Sequence, residues 1–219
     1  MKLHLINSLH NSTKRNYFQR MADNKVSCMK IAKKYSKNYW DGPRRFGYGG
    51  YKYIPNRWTK IAKKLISIYK LKKDSSILDL GCGKGFLLYE LLKIIPELKI
   101  TGFDISDYAL KEARKIKNIN FKKFDIRKKL PFKNKSFDLV ISLATLHNLK
   151  LFDLVFSLKE IERVGKKKYL MVESYRSDQE LFNLQCWALT CESFFSDKEW
   201  VWLFKKFKYF GDYEFIYFS

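Results

Sequence analysis

The stretch "ILDLGCGKGF", residues 77–86, runs apolar from Ile77 to Leu80 and then enters three glycines separated by single residues. A short apolar run that ends in glycines is typical of a buried strand followed by a tight turn into a helix. Glycine also allows a ligand to approach the main chain closely. We therefore expect a ligand-binding turn at the carboxyl end of the first strand of an open α/β sheet.

Two common phosphate-binding loops do not fit this turn. A P-loop needs Ser or Thr after its lysine, and Lys84 is followed by Gly85. The dinucleotide fingerprint needs a glycine three residues after its second one, where this chain has Phe86. A G-x-G-x-G loop preceded by Asp79 is what remains.

The rest of the chain after residue 75 alternates between strand and helix patterns. We predict strands at 76–80, 98–103, 119–124, 136–143 and 168–173, alternating with helices at 85–95, 106–116, 151–164 and 178–190. This alternation predicts βαβ units and a parallel sheet covered on both faces. After a further helix at 197–206, the tail "FKYFGDYEFIYF" predicts two antiparallel strands joined at Gly211 and Asp212.

The front third of the chain carries most of the positive charge. Residues 1–73 hold 19 basic residues and two acids, a net charge of +17, whereas residues 74–219 have a net charge of +5. Such a field attracts anions. We predict a basic helix over about 13–36, a glycine-rich and aromatic loop over 38–58, and a helix over 57–71. The loop either packs on the core or forms a lid over a site.

Composition limits the architecture and the location. A length of 219 residues with 46% hydrophobic residues predicts one core with extensions, which we divide into a basic extension (1–74) and an α/β core (75–219). The cysteines form no C-x-x-C pair, and with three histidines we expect no metal site. We expect a reduced, cytoplasmic chain without a membrane span, because neither a signal peptide nor an 18-residue apolar run is visible.

The motifs together resemble one enzyme family. "LDLGCGKG" resembles motif I of the class I, Rossmann-like S-adenosylmethionine-dependent methyltransferases, and "ITGFDIS" and "FKKFDIRKKLPFKNKSFDLVIS" resemble the segments that follow it. The resemblance covers about residues 75–175. It implies a doubly wound, seven-stranded, mostly parallel sheet with a C-terminal antiparallel pair. It also implies S-adenosyl-L-methionine as methyl donor and S-adenosyl-L-homocysteine as product.

The resemblance also assigns the cofactor residues. Asp104, which ends the second strand, takes the position of the family's ribose-binding acid, and a carboxylate can accept hydrogen bonds from two vicinal hydroxyls. Asp79 would accept from the methionyl ammonium, and Ile105 and Asp125 would contact the adenine. The whole cofactor set is Asp79, Gly81, Cys82, Gly83, Gly85, Asp104, Ile105, Asp125 and Leu143.

The methyl acceptor should bind beyond the fourth strand, at "SLATLHNLK", residues 142–150. His147 is a candidate base because its ordinary pKa lies near neutrality, although it could instead pack beneath the site. Glu173 is a second catalytic candidate at the end of the fifth strand. Guanidinium forks match phosphates and carboxylates. The acceptor-binding candidates are Arg44, Arg45, Tyr48, Tyr51 and Tyr175.

Three functions are open at this point. "LATLHNL" lacks the Asn-Pro-Pro-aromatic motif of nucleic-acid base methyltransferases and resembles the small-molecule branch. A small polar or anionic acceptor, such as a sugar or phosphorylated metabolite, is therefore favoured. The alternative is an RNA methyltransferase in which residues 1–73 form a basic platform with stacking rings. A non-enzymatic cofactor-binding module is disfavoured by the intact acids. The accepting atom and the oligomeric state stay open.

Overall fold

One parallel sheet forms the centre of the molecule. The computed structural model describes residues 1–114 and 118–219. Six strands of the described residues pair in the order β3-β2-β1-β4-β5-β6, and every neighbouring pair is parallel. The expected α/β class with a parallel sheet is thus confirmed. The strands are β1 (Ser76–Leu80), β2 (Lys99–Asp104), β3 (Ile119–Lys123), β4 (Phe137–Leu143), β5 (Gly165–Glu173) and β6 (Asp212–Ile216).

Helices precede the sheet and then connect most of its successive strands. Those before β1 are α1 (Asn7–Asn11), α2 (Tyr17–Ala22), α3 (Lys25–Ala32), α4 (Lys37–Trp40) and α5 (Thr59–Tyr69). Those after it are α6 (Phe86–Ile94), α7 (Asp107–Lys111), α8 (Leu151–Val164), α9 (Asp178–Trp187) and α10 (Asp197–Lys206). The expected helix at 106–116 is observed only as α7, and residues 115 and 116 of that expectation lie outside the described residues.

Both faces of the sheet are buried, as the sequence predicted. Successive strand residues point to opposite faces. Ile77 and Leu139 therefore pack with α5 and α6, whereas Leu78 and Val140 pack with α8 and α10. The first residues of the chain, including Leu5, belong to the first of these two clusters.

The expected C-terminal antiparallel pair does not form in the described residues. Tyr209 is buried in the core, and its hydroxyl donates to the carbonyl of Asp212 (2.9 Å), so residues 207–211 make a connection and not a strand. The chain crosses back through α9 and α10 before β6, which therefore runs parallel to β5. Met1–Leu3 pairs with the other edge of β6, where the amide of Leu3 donates to Tyr213 (2.8 Å). Within residues 1–114 and 118–219, the sheet consequently has six strands and not the expected seven.

The expected basic helix at 13–36 is also broken, into α2 and α3. Asn16 caps α2 by accepting a hydrogen bond from the amide of Gln19 (3.0 Å), and Asn24 adopts a left-handed conformation with φ 43°. Asparagine side chains compete with helical backbone in this way. In the described ranges, no helix is both long and apolar enough to cross a membrane.

Candidate active site

The glycine turn after β1 has the tight geometry that its sequence predicts. Gly81 and Gly83 adopt φ values of +86° and +54°, which other residues rarely tolerate. A Cβ atom at Gly81 would lie 2.0 Å from the Thr145 hydroxyl, and one at Gly83 would lie 2.9 Å from the Trp40 ring. The main chain of this turn is therefore approached closely by side chains of the protein itself.

A cleft of about 570 Å³ opens where the carboxyl ends of β1, β2 and β4 meet; we call it the sheet-edge cleft. Its charges are balanced, with four acidic and four basic residues in its lining: Asp104, Asp125, Asp153 and Glu192, and Lys33, Lys34, Arg127 and Lys150. Of the nine predicted cofactor residues, five line it: Gly81, Asp104, Ile105, Asp125 and Leu143.

Asp104 is held rigidly at the floor of the sheet-edge cleft. Its two carboxylate oxygens accept hydrogen bonds from the amides of Gly83 and Ser106, both at 2.8 Å. Each oxygen keeps acceptor capacity for a further donor. Burial raises the pKa of Asp104, and the two amides oppose that shift. Beside it, Ile105 leaves 42% of its surface exposed, an apolar platform facing the cleft.

Four predicted cofactor residues lie beneath or behind the cleft: Asp79, Cys82, Gly83 and Gly85. Asp79 is buried, and its Oδ1 atom has no hydrogen-bond partner within residues 1–114 and 118–219. Burial, with a smaller contribution from the charge of Asp104, raises the pKa of Asp79 to about 8. Such an unsatisfied buried oxygen is costly unless a ligand or water donates to it.

Asp125 lines the sheet-edge cleft but is paired with Arg127. Arg127 donates to both of its oxygens, through Nε at 2.9 Å and through a terminal nitrogen at 2.7 Å. This pairing lowers the pKa of Asp125. A ligand at Asp125 would therefore meet an ion pair and not a free carboxylate.

A second cleft of about 410 Å³ adjoins the first; we call it the arginine cleft. Tyr39, Tyr48, Ala144 and Thr190 line both clefts and form the boundary between them. Three further predicted residues, Arg44, Tyr51 and Glu173, line the arginine cleft. Sequence reasoning missed Arg15 and Arg20 there, because only the fold brings the segment around α2 against α9 and Trp187.

Glu173 and His147 form a pair at the base of the arginine cleft. Nδ1 of His147 accepts a hydrogen bond from the Glu173 amide (3.2 Å), which leaves Nε2 as the protonated atom, 3.4 Å from a Glu173 carboxylate oxygen. Burial lowers the pKa of His147 to about 3, so the ring is neutral. Burial raises the pKa of Glu173 to about 7, against the opposing charges of Arg15 and Lys25.

The aromatic loop, residues 39–53, packs over the glycine turn. Trp40 donates to the Ser106 hydroxyl (2.9 Å), and Tyr48 stacks on Trp40. Asp41 forms an ion pair of 2.6 Å with Lys84, whose side chain is only 5% exposed. Asp41 also accepts from the Tyr108 hydroxyl (2.8 Å). A sequence signal existed for this contact, since Asp41 is one of only two acids in the first 73 residues.

Three predicted catalytic or acceptor-binding residues lie away from the cleft surfaces. Arg45 pairs with Asp23 (2.7 Å) on the outer side of the loop. The Tyr175 hydroxyl lies 3.4 Å from Glu199. His147 is buried beneath Glu173, so Glu173 and not His147 is the titratable group that faces the arginine cleft.

Comparisons with known proteins agree with this geometry. A family model described as a methyltransferase domain matches residues 71–208. Among curated proteins, the ribosomal RNA small subunit methyltransferase C of Buchnera aphidicola is 37% identical over 117 residues, 50% of this chain and 32% of that protein. The demethylmenaquinone methyltransferase of Chlorobaculum parvum is 36% identical over 115 residues, 52% of this chain and 46% of that protein. The chain thus matches about a third to a half of these relatives' length.

Solved structures share the fold. A methyltransferase from Haloferax volcanii, solved in complex with the Trm112 activator, superposes with a TM-score of 0.56 at 20% identity, covering 89% of this chain and 76% of that one. A methyltransferase from Bacillus halodurans gives a TM-score of 0.55, also at 20% identity, covering 66% of this chain and 67% of the other. At these identities the likeness concerns architecture alone.

Proposed function

This chain belongs to the methyltransferase domain family, and we propose that it transfers a methyl group from S-adenosyl-L-methionine to a small polar or anionic acceptor, such as a sugar or phosphorylated metabolite. Membership of the family implies this methyl donor. One observation carries the proposal: two adjoining clefts share the boundary of Tyr39, Tyr48, Ala144 and Thr190. A donor in one cleft and an acceptor in the other would meet at that boundary.

The sheet-edge cleft suits the donor. Asp104 offers two oriented oxygens to a ribose, and the exposed face of Ile105 suits adenine. The unsatisfied Asp79 Oδ1 is available to the methionyl ammonium, directly or through a water. A balanced set of charges fits a ligand that carries an ammonium, a carboxylate and a sulfonium. Gly81 and Leu143 would border this ligand, whereas Cys82, Gly83 and Gly85 would shape the turn beneath it.

The arginine cleft suits an acceptor that must lose a proton. When bound, the donor supplies an electrophilic methyl group whose carbon–sulfur bond breaks with its electron pair going to sulfur. The residues of the chain align the acceptor oxygen with that methyl group, which is the main task in such a transfer. The Glu173 carboxylate would accept the hydroxyl proton that the acceptor loses when it takes up the methyl group. A pKa of about 7 suits this proton transfer near neutrality.

His147 would then act as a positioning residue and not as the base. Its ring is neutral, and its Nε2 proton faces a carboxylate oxygen of Glu173. At 3.4 Å, this contact would help to orient the carboxylate towards the cleft. Tyr48 and Tyr51, from the aromatic loop, would enclose the acceptor.

The acceptor class is tested by methyl labelling. The protein is incubated with donor carrying a labelled methyl group and with an extract separated into small molecules and RNA. We expect label in the small-molecule fraction with the unaltered chain, and label that accumulates at least about 100-fold more slowly with Glu173→Gln. Label that appears only in RNA would contradict the small-molecule proposal, and label in neither fraction would contradict the transferase activity.

RNA is the second candidate for the methyl acceptor. Two observations favour it: the basic front third of the chain, and a similar protein that is named a ribosomal RNA methyltransferase. Phosphate contacts release counterions, so RNA affinity should fall by orders of magnitude between low and moderate salt. A flat salt response in a filter-binding assay would remove this candidate.

Two organisational proposals accompany the function. The first 74 residues would act as an extension that completes both clefts, because Trp40, Tyr48 and Arg44 come from it. All four cysteines are free thiols, which supports a reducing, cytoplasmic environment.

A further inference from the structure

Three arginines surround one tryptophan at the wall of the arginine cleft. The guanidinium carbons of Arg20 and Arg44 each lie 4.9 Å from the centre of a Trp187 ring, and that of Arg15 lies 5.5 Å away. We call these three residues the arginine cluster. They come from the segment before α2, from α2 and from the aromatic loop, so the fold assembles them from separate parts of the chain.

The arginine cluster is fixed by backbone carbonyls and not by carboxylates. Arg44 donates to the carbonyls of Gly47 (2.7 Å) and Tyr48 (3.0 Å), and Arg20 donates to that of Arg44 (2.5 Å). In the parts of the chain that the structure describes, no carboxylate lies within ion-pair distance of the three guanidiniums. The buried Nε of Arg15 has no hydrogen-bond partner in those same parts.

The charge of the arginine cleft is correspondingly unbalanced. Five basic residues line it, Arg15, Arg20, Arg44, Lys52 and Arg57, against the single acid Glu173. His10 adds no charge at neutral pH, because burial and the neighbouring Arg15 lower its pKa to about 4. Burial and the charge of Arg44 together lower the pKa of Arg20 to about 10. Partly desolvated like charges repel, and an anion among them would relieve this repulsion.

We infer that the arginine cluster binds a phosphate or carboxylate group of the methyl acceptor, whose body is apolar. This inference deepens the proposed function and rests on it. Planar guanidinium forks match both anions with paired hydrogen bonds. Most of the remaining lining is apolar or aromatic, including Tyr51, Trp58, Phe86, Met171 and Phe218. A cleft of about 410 Å³ suits one small molecule of this kind and not a nucleic-acid strand.

Calorimetry with phenyl phosphate tests the inference, since this probe joins an aromatic body to an anionic head. We expect the unaltered protein to bind phenyl phosphate and to bind benzyl alcohol, the neutral probe, at least tenfold more weakly. The double variant Arg20→Gln/Arg44→Gln should bind phenyl phosphate at least tenfold more weakly, as the loss of a charge-assisted pair predicts. The single variant Arg44→Gln, which is less disruptive, should also bind phenyl phosphate more weakly than the unaltered protein.

Arg45→Gln is the matched control, because it removes a guanidinium of the same loop that pairs with Asp23 on the outer side. Its binding of phenyl phosphate should equal that of the unaltered protein. The inference would be overturned if the double variant and Arg44→Gln both bound phenyl phosphate as tightly as the unaltered protein. It would also be overturned if the unaltered protein did not bind phenyl phosphate. Displacement of phenyl phosphate by a 20-nucleotide RNA at lower concentration would overturn the small-molecule identity. If the inference failed in one of these ways but the protein still bound S-adenosylmethionine, the proposed methyltransferase function would be unaffected.

Discussion

At the scale of single residues, burial raises the pKa of two acids, that of Glu173 to about 7 and that of Asp79 to about 8. Glu173 keeps 16% of its side chain exposed at the arginine cleft, whereas Asp79, which precedes the glycine turn, is only 5% exposed. A carboxyl with a perturbed pKa in a cleft is a candidate for proton transfer. A buried carboxylate oxygen without a hydrogen-bond partner, such as Oδ1 of Asp79, is a candidate for a ligand contact.

The proton-transfer role of Glu173 predicts a defined pH profile. Below a pH of about 7 the carboxyl is protonated and cannot accept a proton, so kcat should rise with pH through about 7 to a plateau. Glu173→Gln should lower kcat by about 10²- to 10⁴-fold with little change in KM. Methyl transfer to the labelled fraction, measured between pH 5 and 9, checks both. A profile without a midpoint near 7 would exclude Glu173 as the base.

The positioning role of His147 can be separated from a structural one. His147→Ala should lower kcat and move the pH midpoint attributed to Glu173, because the carboxylate loses its orienting donor. His147→Gln can place an amide donor near the position of Nε2 and should restore part of the activity. Loss of stability in both variants without any shift in the midpoint would show that His147 only fills the core.

Asp79 is expected to cost stability in the absence of ligand. Its folded-state pKa is raised above the unfolded value, so its contribution to stability is present at low pH and is lost as pH rises between about 4 and 8. Asp79→Asn should therefore raise the melting temperature at pH 8 by several degrees while weakening donor binding.

Asp138→Asn is the control for the melting temperature at pH 8, because this substitution should change it in the opposite direction. Ser76 and Lys166 lower the pKa of Asp138 to about 2, so its contribution to stability is present at neutral pH and is lost in acid. This substitution should lower the melting temperature at pH 8. A lower melting temperature for Asp79→Asn as well would mean that Asp79 supports the fold without ligand.

At the scale of elements, the aromatic loop depends on one ion pair. Asp41→Asn removes the charge that compensates the buried Lys84, and such a loss costs about 1–3 kcal/mol. We expect trypsin to cut at Arg44 and Arg45 several times faster in this variant, with weaker donor binding. Asp23→Asn, which breaks the exposed pair with Arg45, should leave cleavage nearly unchanged. Equal cleavage of the two variants would contradict the loop-anchoring role of Asp41.

The local sequence pattern predicted the central strands and helices correctly. It failed where contacts between segments distant in sequence decide the structure. The strand at 76–80 and the helix at 151–164 match exactly in their bounds, because their apolar periodicity is strong. The apolar pattern of the tail predicted two strands that pair with each other. In the structure β6 pairs instead with β5 on one edge and with residues 1–3 on the other, and no local pattern shows these distant partners. The five predicted cofactor residues in the sheet-edge cleft lie at or just after strand ends, which the sequence pattern reveals. Arg15, Arg20 and Trp187 meet only in the folded chain.

At the scale of the whole molecule, the chain start is tied to the chain end. The buried carboxylate of Glu214, in β6, accepts hydrogen bonds from the amides of Leu5, Ile6 and Asn7 at 2.7 to 2.9 Å. The Tyr169 hydroxyl donates to the same carboxylate (2.5 Å). This contact holds the basic front third against the sheet and so positions the residues that complete both clefts.

Removing that carboxylate should destabilise the entire fold. Glu214→Ala leaves three amides and a hydroxyl without their acceptor, and each unsatisfied buried donor costs about 1–3 kcal/mol, so we expect a loss of several kcal/mol in the free energy of unfolding. Urea unfolding followed by circular dichroism measures it. Glu112→Ala, an exposed acid of the same type, should change stability by less than about 0.5 kcal/mol. Equal effects would show that the N-terminal segment is not anchored by Glu214.

The central claim is that the sheet-edge cleft holds S-adenosylmethionine through Asp104, and calorimetric titration tests it most directly. We expect one molecule of S-adenosylmethionine to bind per chain, and Asp104→Ala to weaken that binding at least tenfold, about 1.4 kcal/mol. Asp107→Ala, an exposed acid paired with Lys123, should bind as the unaltered protein does. Absence of binding at millimolar S-adenosylmethionine, or equal affinity in Asp104→Ala, would contradict the account.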